Sequence, residues 1–484
     1  MGEAAGRTGA RDALRPEAET DDNSRPGRDA MPSARTVDVQ AFLNEHPFSP
    51  FQWLVFALCF CVVLMDGFDT AAIGYIAPSL VGEWGVERSA LAPVLSAALL
   101  GLAFGALSAG PLADGFGRRT VLIGAALVFG LACLASASSG NLGQLVGLRF
   151  VTGLGLGAAM PNAATLISEF CPDRRRATLT NAMFCGFPLG AALGGFLAAW
   201  MIPRFGWRSV LILGGAMPLG LAFLLALLLP ESVRYMVAKG IPADRIGAVL
   251  RRISASAAEA SSFTLQERAP APLNNSGIGV VLSRPYRAGT LMLWVAYFMG
   301  LVIFYALINW LPILLKDAGM TQSTAALVSA LFPLGGFGAI LSGWLMDRFN
   351  ANAVVAVCFA LTAAAIYAVG QTTGHLGALM VVMLLGGTLM NTAQSSLPAL
   401  AAAFYPTAGR ATGVSSMLGI GRFGGIAGSF LVGELSRRNL DLASIFALVA
   451  VPGLIAAAAL VVKQLAHPER GPAGLAGETE IALH

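Results

Sequence analysis

The apolar residues of this chain neither alternate nor keep to one helical face. They fill long windows that contain almost no charge. About twelve such windows can be marked, at 52–80, 92–113, 120–138, 144–168, 178–202, 209–229, 288–315, 321–346, 353–371, 376–403, 411–433 and 442–462. At 1.5 Å of rise per residue, about 20 residues cross the roughly 30 Å of hydrocarbon in a bilayer. Barrel strands would be about half as long and would alternate in polarity. The pattern therefore predicts an all-α integral membrane protein with twelve transmembrane helices.

The less apolar stretches set the domain boundaries. Residues 1–50 form an N-terminal tail: 1–35 are rich in Arg, Asp, Glu, Ala and Pro, lack the apolar core of a signal peptide, and are expected to be disordered, while 36–50 have room for a short surface helix. Residues 230–287 interrupt the apolar pattern and leave six windows on each side, predicting a first six-helix bundle at 51–229, a linker, a second bundle at 288–464, and a tail at 465–484.

Charge adds orientation. Only 12% of residues are charged, against roughly 25% in a soluble domain. Of the 31 lysines and arginines, 23 fall on the side of the termini, six on the opposite side, and two, Arg149 and Arg422, inside windows. By the positive-inside rule both termini are cytoplasmic. The formal charge of +4 reflects this bias and does not point to nucleic acid. The six cysteines lie in or beside apolar windows without metal-ligand spacing, and read as small packing residues.

The two halves are copies. Phe170-Cys-Pro172-Asp-Arg-Arg-Arg176-Ala177-Thr178 matches Phe404-Tyr-Pro406-Thr-Ala-Gly-Arg410-Ala411-Thr412 at an offset of 234, and the register continues through Gly190/Gly424, Gly194/Gly428, Phe196/Phe430 and Leu197/Leu431. Gly110-Pro-Leu-Ala-Asp114 recurs as Gly343-Trp-Leu-Met-Asp347, at an offset of 233. Transporters built from such repeats hold their site near the midplane and rock one half against the other.

Four full charges lie deep in the windows: Asp66, Asp69, Arg149 and Arg422. They sum to zero, which suggests pairing, because an unpaired charge in hydrocarbon is costly and usually marks an ion or proton pathway. Counted from the cytoplasmic side, Asp66 lies roughly 21 Å deep, Asp69 roughly 25 Å, Arg149 about 22 Å and Arg422 roughly 16 Å. Asp66 and Asp69, about 60° apart around one helix, face the same way. They read as proton carrier and gate, or as structural carboxylates at a helix break supplied by Gly67. Arg149 reads as the partner that senses their protonation, or as a static bridge. Arg422 takes the repeat position of Pro188 and reads as a bidentate clamp for an anion, or as glue between helices. Its neighbours Gly419, Gly421, Gly424 and Gly425 allow close approach.

Gly110-x-x-x-Asp114-x-x-Gly117-Arg118-Arg119 resembles the signature loop of the major facilitator superfamily, and Arg149-x-x-x-Gly153-x-Gly155-x-Gly157 its fourth-span motif. Asp66-Gly67-Phe68-Asp69-Thr70 with Gly74-Tyr75-Ile76-Ala77-Pro78, and Tyr305-Ala-Leu-Ile-Asn309-Trp310-Leu311-Pro312, resemble the aromatic acid:proton symporters of that superfamily, over residues 45–465. The resemblance implies two pseudo-symmetric six-helix bundles and proton-coupled import of acids like 4-hydroxybenzoate, protocatechuate or benzoate, by a monomer in a bacterial inner membrane. It also implies no cofactor, with the proton gradient as energy source.

Within that frame Asp66, Asp69 and Arg149 couple the proton. Arg422, Phe68, Tyr305, Asn309, Trp310, Asn391 and Gln394 line the substrate, the last two as partners for a ring hydroxyl or for a neighbouring helix. Gly110, Asp114, Gly117, Arg118, Arg119, Asp347 and Arg348 form a conformational latch, the second copy being weaker because Asn350 replaces its glycine–arginine end. No Ser/His/Asp set, metal cluster or phosphate-binding loop suggests an enzyme. Gly186-x-Pro188-x-Gly190 loosely echoes exporters, so export of drugs or aromatic acids is the alternative. A membrane sensor is a third reading, which the lack of an appended signalling domain disfavours.

Overall fold

A computed structural model describes residues 36–255, 262–265, 277–338, 346, 348–405, 407–438 and 440–467. A short strand, β1 (Thr36–Asp38), and α1 (Val39–Glu45) precede α2 (Pro50–Trp84), α3 (Ala92–Phe116), α4 (Arg118–Ala137), α5 (Leu142–Phe170), α6 (Asp173–Phe184), α7 (Gly186–Phe205) and α8 (Arg208–Leu228). The middle of the chain holds α9 (Val233–Ala238), α10 (Ala243–Arg251), β2 (Ser262–Thr264) and α11 (Gly277–Val281). After it come α12 (Arg284–Asp317), α13 (Gln322–Leu334), α14 (Ala351–Thr372), α15 (Leu376–Phe404), α16 (Thr407–Arg437) and α17 (Leu442–Ala466).

Among the described residues, eleven spans are long and apolar enough to cross a membrane, with α6 and α7 together making one of them. The twelfth, α13, is a shorter apolar helix that continues as a 3-10 turn to Gly338. Residues 339–345 of that window, Gly343 among them, and Asp347 just past it lie outside the described residues. Large apolar side chains such as Phe104, Leu107, Phe223 and Leu465 stand exposed around the bundle, a surface that suits lipid.

Local chemistry fixes the helix that carries the two aspartates. Ser49 and Gln52 cap α2 reciprocally, at 3.3 and 2.8 Å, with Pro50 in its first turn. Gly85, at φ +60°, closes it in the left-handed region. Between these ends α2 is unbroken, so Gly67 does not supply a helix break. It admits a neighbour instead, since a Cβ there would stand 1.9 Å from the Phe187 carbonyl oxygen on α7.

The long helices pack in two groups: α2 with α5, α7 and α8, α3 with α5, and α4 with α5 and α8; then α12 with α16 and α17, α14 with α15 and α17, and α13 with α15. The 234-residue offset reappears in the backbone contacts. A Cβ on Gly190 would lie 1.8 Å from Leu64 O, and one on Gly424 2.3 Å from Phe298 O. One on Gly153 would lie 2.1 Å from Ala98 O, and one on Gly387 2.0 Å from Phe332 O. Both members of each pair are shifted by 234, so corresponding helices in the two groups touch at corresponding residues.

Across the seam between the groups, α2 lies against α12, α7 against α13 and α3 against α16. Its polar contacts gather toward the end remote from the termini. Arg88 pairs with Asp317 at 2.8 Å, Lys316 Nζ donates to Pro78 O at 3.3 Å, Gln322 donates to Ser79 Oγ at 2.6 Å, and Ser323 donates to Ala199 O at 2.9 Å. The halves are thus closed at that end. The first part of the linker keeps to the first group, since β1 pairs in parallel with β2 and Arg234 donates to Gln40, while α11 at its end packs on α16 of the second.

Candidate functional site

The four deep charges meet where α2 and α5 of the first group face α16 of the second. They form two pairs of different construction. Arg149 and Asp69 are both fully buried. Arg149 Nη1 and Nη2 donate to Asp69 Oδ1 and Oδ2, each at 2.8 Å, and Nη2 also reaches the Asp69 carbonyl at 3.3 Å. Cys133 Sγ adds a weak contact to Oδ1 at 3.4 Å. This is the planar fork that makes an arginine–carboxylate pair strong, and it lies wholly within one half.

Asp66, one turn earlier and equally buried, is held far less firmly. Its Oδ1 accepts a long bond from Thr70 Oγ1 at 3.4 Å, and its Oδ2 is buried without a hydrogen-bond partner. Two charges act on it, the like charge of Asp69 one turn on and the opposite charge of Arg422 from the other half. Arg422 Nη1 donates to the Leu102 carbonyl on α3 at 3.1 Å, so the guanidinium bridges the seam and is not turned to the lipid. The Tyr305 ring rests on Gly425, and its hydroxyl lies within the field of both Asp66 and Arg422. A void of about 10 Å³, room for one water molecule, lies between Thr70, Arg149, Tyr305 and Asn309.

The other residues singled out from the sequence divide. Asn309 Nδ2 donates to Ser429 Oγ and Trp310 Nε1 to Ser429 O, both at 2.9 Å, so in this conformation their donors stitch α12 to α16. Phe68 turns into the first half, against Gly194 and Gly214. Asn391 Nδ2 donates to the Gly387 carbonyl of its own helix at 2.8 Å. Gln394 lies in a notch at Gly300, and neither of its buried amide atoms makes a hydrogen bond of normal geometry, with the Tyr297 hydroxyl its polar neighbour. Tyr297, which was not singled out, packs on Gly421 beside Arg422. The signal was available: Tyr297 and Tyr305 are eight residues apart on one helix face, opposite Gly421 and Gly425.

At the terminal end of the first group, Asp114 pairs with Arg118 at 3.1 Å and is 73% exposed. Arg118 also reaches Glu169 at 3.6 Å and lies over the Tyr235 ring. Gly117 sits at φ +94°, where a Cβ would strike the Glu231 carboxylate, and that same carboxylate accepts from Arg119 N at 3.1 Å. All these contacts stay within the first half and its linker. Gly110 makes no close contact, Arg348 is exposed, and Asp347 lies outside the described residues.

A sequence model of the Major Facilitator Superfamily matches residues 59–419 and 316–482. The chain is 49% identical over 445 residues to the 4-hydroxybenzoate transporter PcaK of Pseudomonas aeruginosa, covering 91% of this chain and 99% of that one. It is 45% identical over 438 residues to a gallate transporter of Pseudomonas putida, covering 90% and 97%. Among solved structures, the xylose transporter XylE from E. coli in an inward open conformation superposes with a TM-score of 0.67 at 18% identity, covering 84% of this chain and 95% of that one, a likeness of fold alone. With its repeated helix contacts, its eleven membrane-length spans and these matches along nearly its whole length, the chain is a multi-pass membrane protein of the major facilitator superfamily.

Proposed function

We propose that this protein is a symporter that imports a small aromatic carboxylate together with a proton, from a bacterial inner membrane in which both termini face the cytoplasm. The identity to named transporters of 4-hydroxybenzoate and gallate supports the substrate class. The excess of Lys and Arg on the terminal side supports the orientation. On that orientation the halves are closed toward the outside in the conformation described.

The observation that carries the mechanism is the unequal treatment of the two carboxylates. A proton on Asp69 would cost two short bonds and leave Arg149 buried and uncompensated, whereas a proton on Asp66 Oδ2 breaks none. Asp66 is therefore the carrier, and the Asp69–Arg149 pair holds α2 against α5. Deprotonated Asp66 attracts Arg422 across the seam; protonated Asp66 releases it. The freed guanidinium takes the substrate carboxylate, beside the rings of Tyr297 and Tyr305. The buried charges sum to zero before loading, and they still do when one proton and one monoanion have entered. Both the empty and the loaded carrier can then rearrange without dragging net charge through hydrocarbon. Release of both ligands inside restores the Asp66–Arg422 attraction.

The test is uptake by proteoliposomes. Labelled 4-hydroxybenzoate should accumulate under an acid-outside gradient and leave again when a protonophore collapses it. Failure to accumulate any benzoate-like acid would refute the assignment, and accumulation driven by an opposite gradient would indicate an exporter.

A further inference from the structure

Within the proposed aromatic-acid reading, on which this step rests, we infer that Gln394 of α15 and Tyr297 of α12 form the subsite that recognises a hydroxyl group on the substrate's ring. Both Oε1 and Nε2 of Gln394 are shut off from solvent without a hydrogen bond of normal geometry. A buried amide left this way costs free energy that native structures rarely leave uncompensated. The chain makes deliberate room for it: a Cβ on Gly300 would stand 2.0 Å from Gln394 Oε1. By the 234-residue offset, Gly300 is the counterpart of Asp66, so the second half holds a neutral amide notch at the position where the first half holds its carboxylate.

The Tyr297 hydroxyl is adjacent to Gln394, and its ring overlies Gly421, next to Arg422 in the chain. Tyr297 thus spans from the proposed carboxylate clamp to the orphaned amide. A substrate anchored by its carboxylate on Arg422 directs the far edge of its ring along Tyr297. A phenolic hydroxyl both donates and accepts, and a buried carboxamide whose polar neighbour is the Tyr297 hydroxyl still has capacity to match it. Benzoate, which has no hydroxyl, would leave the amide with no partner but Tyr297, and a site that hydrogen-bonds a hydroxyl discriminates against the ligand lacking it. Asn391, three residues earlier on α15, is the weaker candidate because its amide nitrogen is already bound to Gly387 O.

The experiment is equilibrium binding of 4-hydroxybenzoate and benzoate to the purified full-length protein, without a gradient, so that a failure of proton coupling does not enter. Wild type should prefer 4-hydroxybenzoate. Gln394→Leu should cut that preference about tenfold, the scale of one or two hydrogen bonds, and Tyr297→Phe by a smaller factor in the same direction. Equal affinities in wild type, or a preference that survives both substitutions, would overturn the subsite. If the protein binds neither acid, the aromatic-acid reading itself falls. Should Gln394→Leu fail to fold, Gln394→Met and Tyr297→Phe carry the same comparison.

Discussion

The two halves share a backbone plan and divide the chemistry between them. At Gly190 and Gly424, and at Gly153 and Gly387, corresponding helices touch at residues 234 apart. The same offset sets Asp66 against Gly300, Asp69 against Ile303, Arg149 against Met383 and Pro188 against Arg422. The first half therefore carries both carboxylates and an arginine that neutralises one of them internally. The second half carries a single arginine with no carboxylate of its own nearby in the repeat. The charge left over on each side, Asp66 and Arg422, can be balanced only across the seam. A proton or an anion at that point acts on the contact between halves and leaves the inside of either half alone, which is what a rocking carrier needs.

Substitutions can break this comparison, most severely within the first half. Asp69→Asn should strand Arg149 without its counter-charge, costing about 3–5 kcal/mol, the penalty for halving a buried pair. Loss of folded protein in detergent would show it, and Asp69→Asn combined with Arg149→Met should recover much of the loss. At the seam, Arg422→Gln should leave folding intact and raise the substrate Kd by 30-fold or more, about 2 kcal/mol, on removal of a charged hydrogen-bonding partner. Uptake kinetics and thermal unfolding of the same samples separate the two cases. Gly67→Ala should lower thermal stability by an overpacking cost of about 1–3 kcal/mol, because the added methyl meets backbone and not a movable side chain. The smallest effect belongs to the outer contact. Arg88 is half exposed, so Arg88→Ala should cost at most about 1 kcal/mol, read as a modest rise in the labelling of cysteines placed in the seam at that end.

Much of this was legible in the sequence. Eleven of the twelve apolar windows coincide with membrane-length spans, because the demand for about 20 uninterrupted apolar residues leaves little ambiguity. The repeat register reappears in the helix contacts, and the estimated depths bring Arg149 level with the aspartates. Partner choice was not legible. Asp66 and Asp69 differ by a modest rotation of α2, and the rotation adopted is set by where α7 meets Gly67 and where α2 meets Gly190, contacts between residues 120 and 126 positions apart along the chain. Asn309 and Trp310 carry donors that could serve a ligand or a helix; only the position of Ser429 shows them serving the helix here. Phe68 belongs to a substrate-like motif, yet its side chain points into the first half, as one residue in a four-charge neighbourhood can without any change of pattern. The notch at Gly300 needed a residue 94 positions away to give it meaning.

The most direct test of the division between carrier and clamp uses Asp66→Asn in proteoliposomes, assayed twice on one preparation: for accumulation of 4-hydroxybenzoate under an acid-outside gradient, and for exchange of internal for external substrate with no gradient. A neutral side chain fixed at position 66 mimics the protonated carrier and leaves Arg422 free, so exchange should continue while gradient-driven accumulation disappears. Accumulation that persists at the wild-type level would contradict the account, because the coupling proton would then have to reside elsewhere.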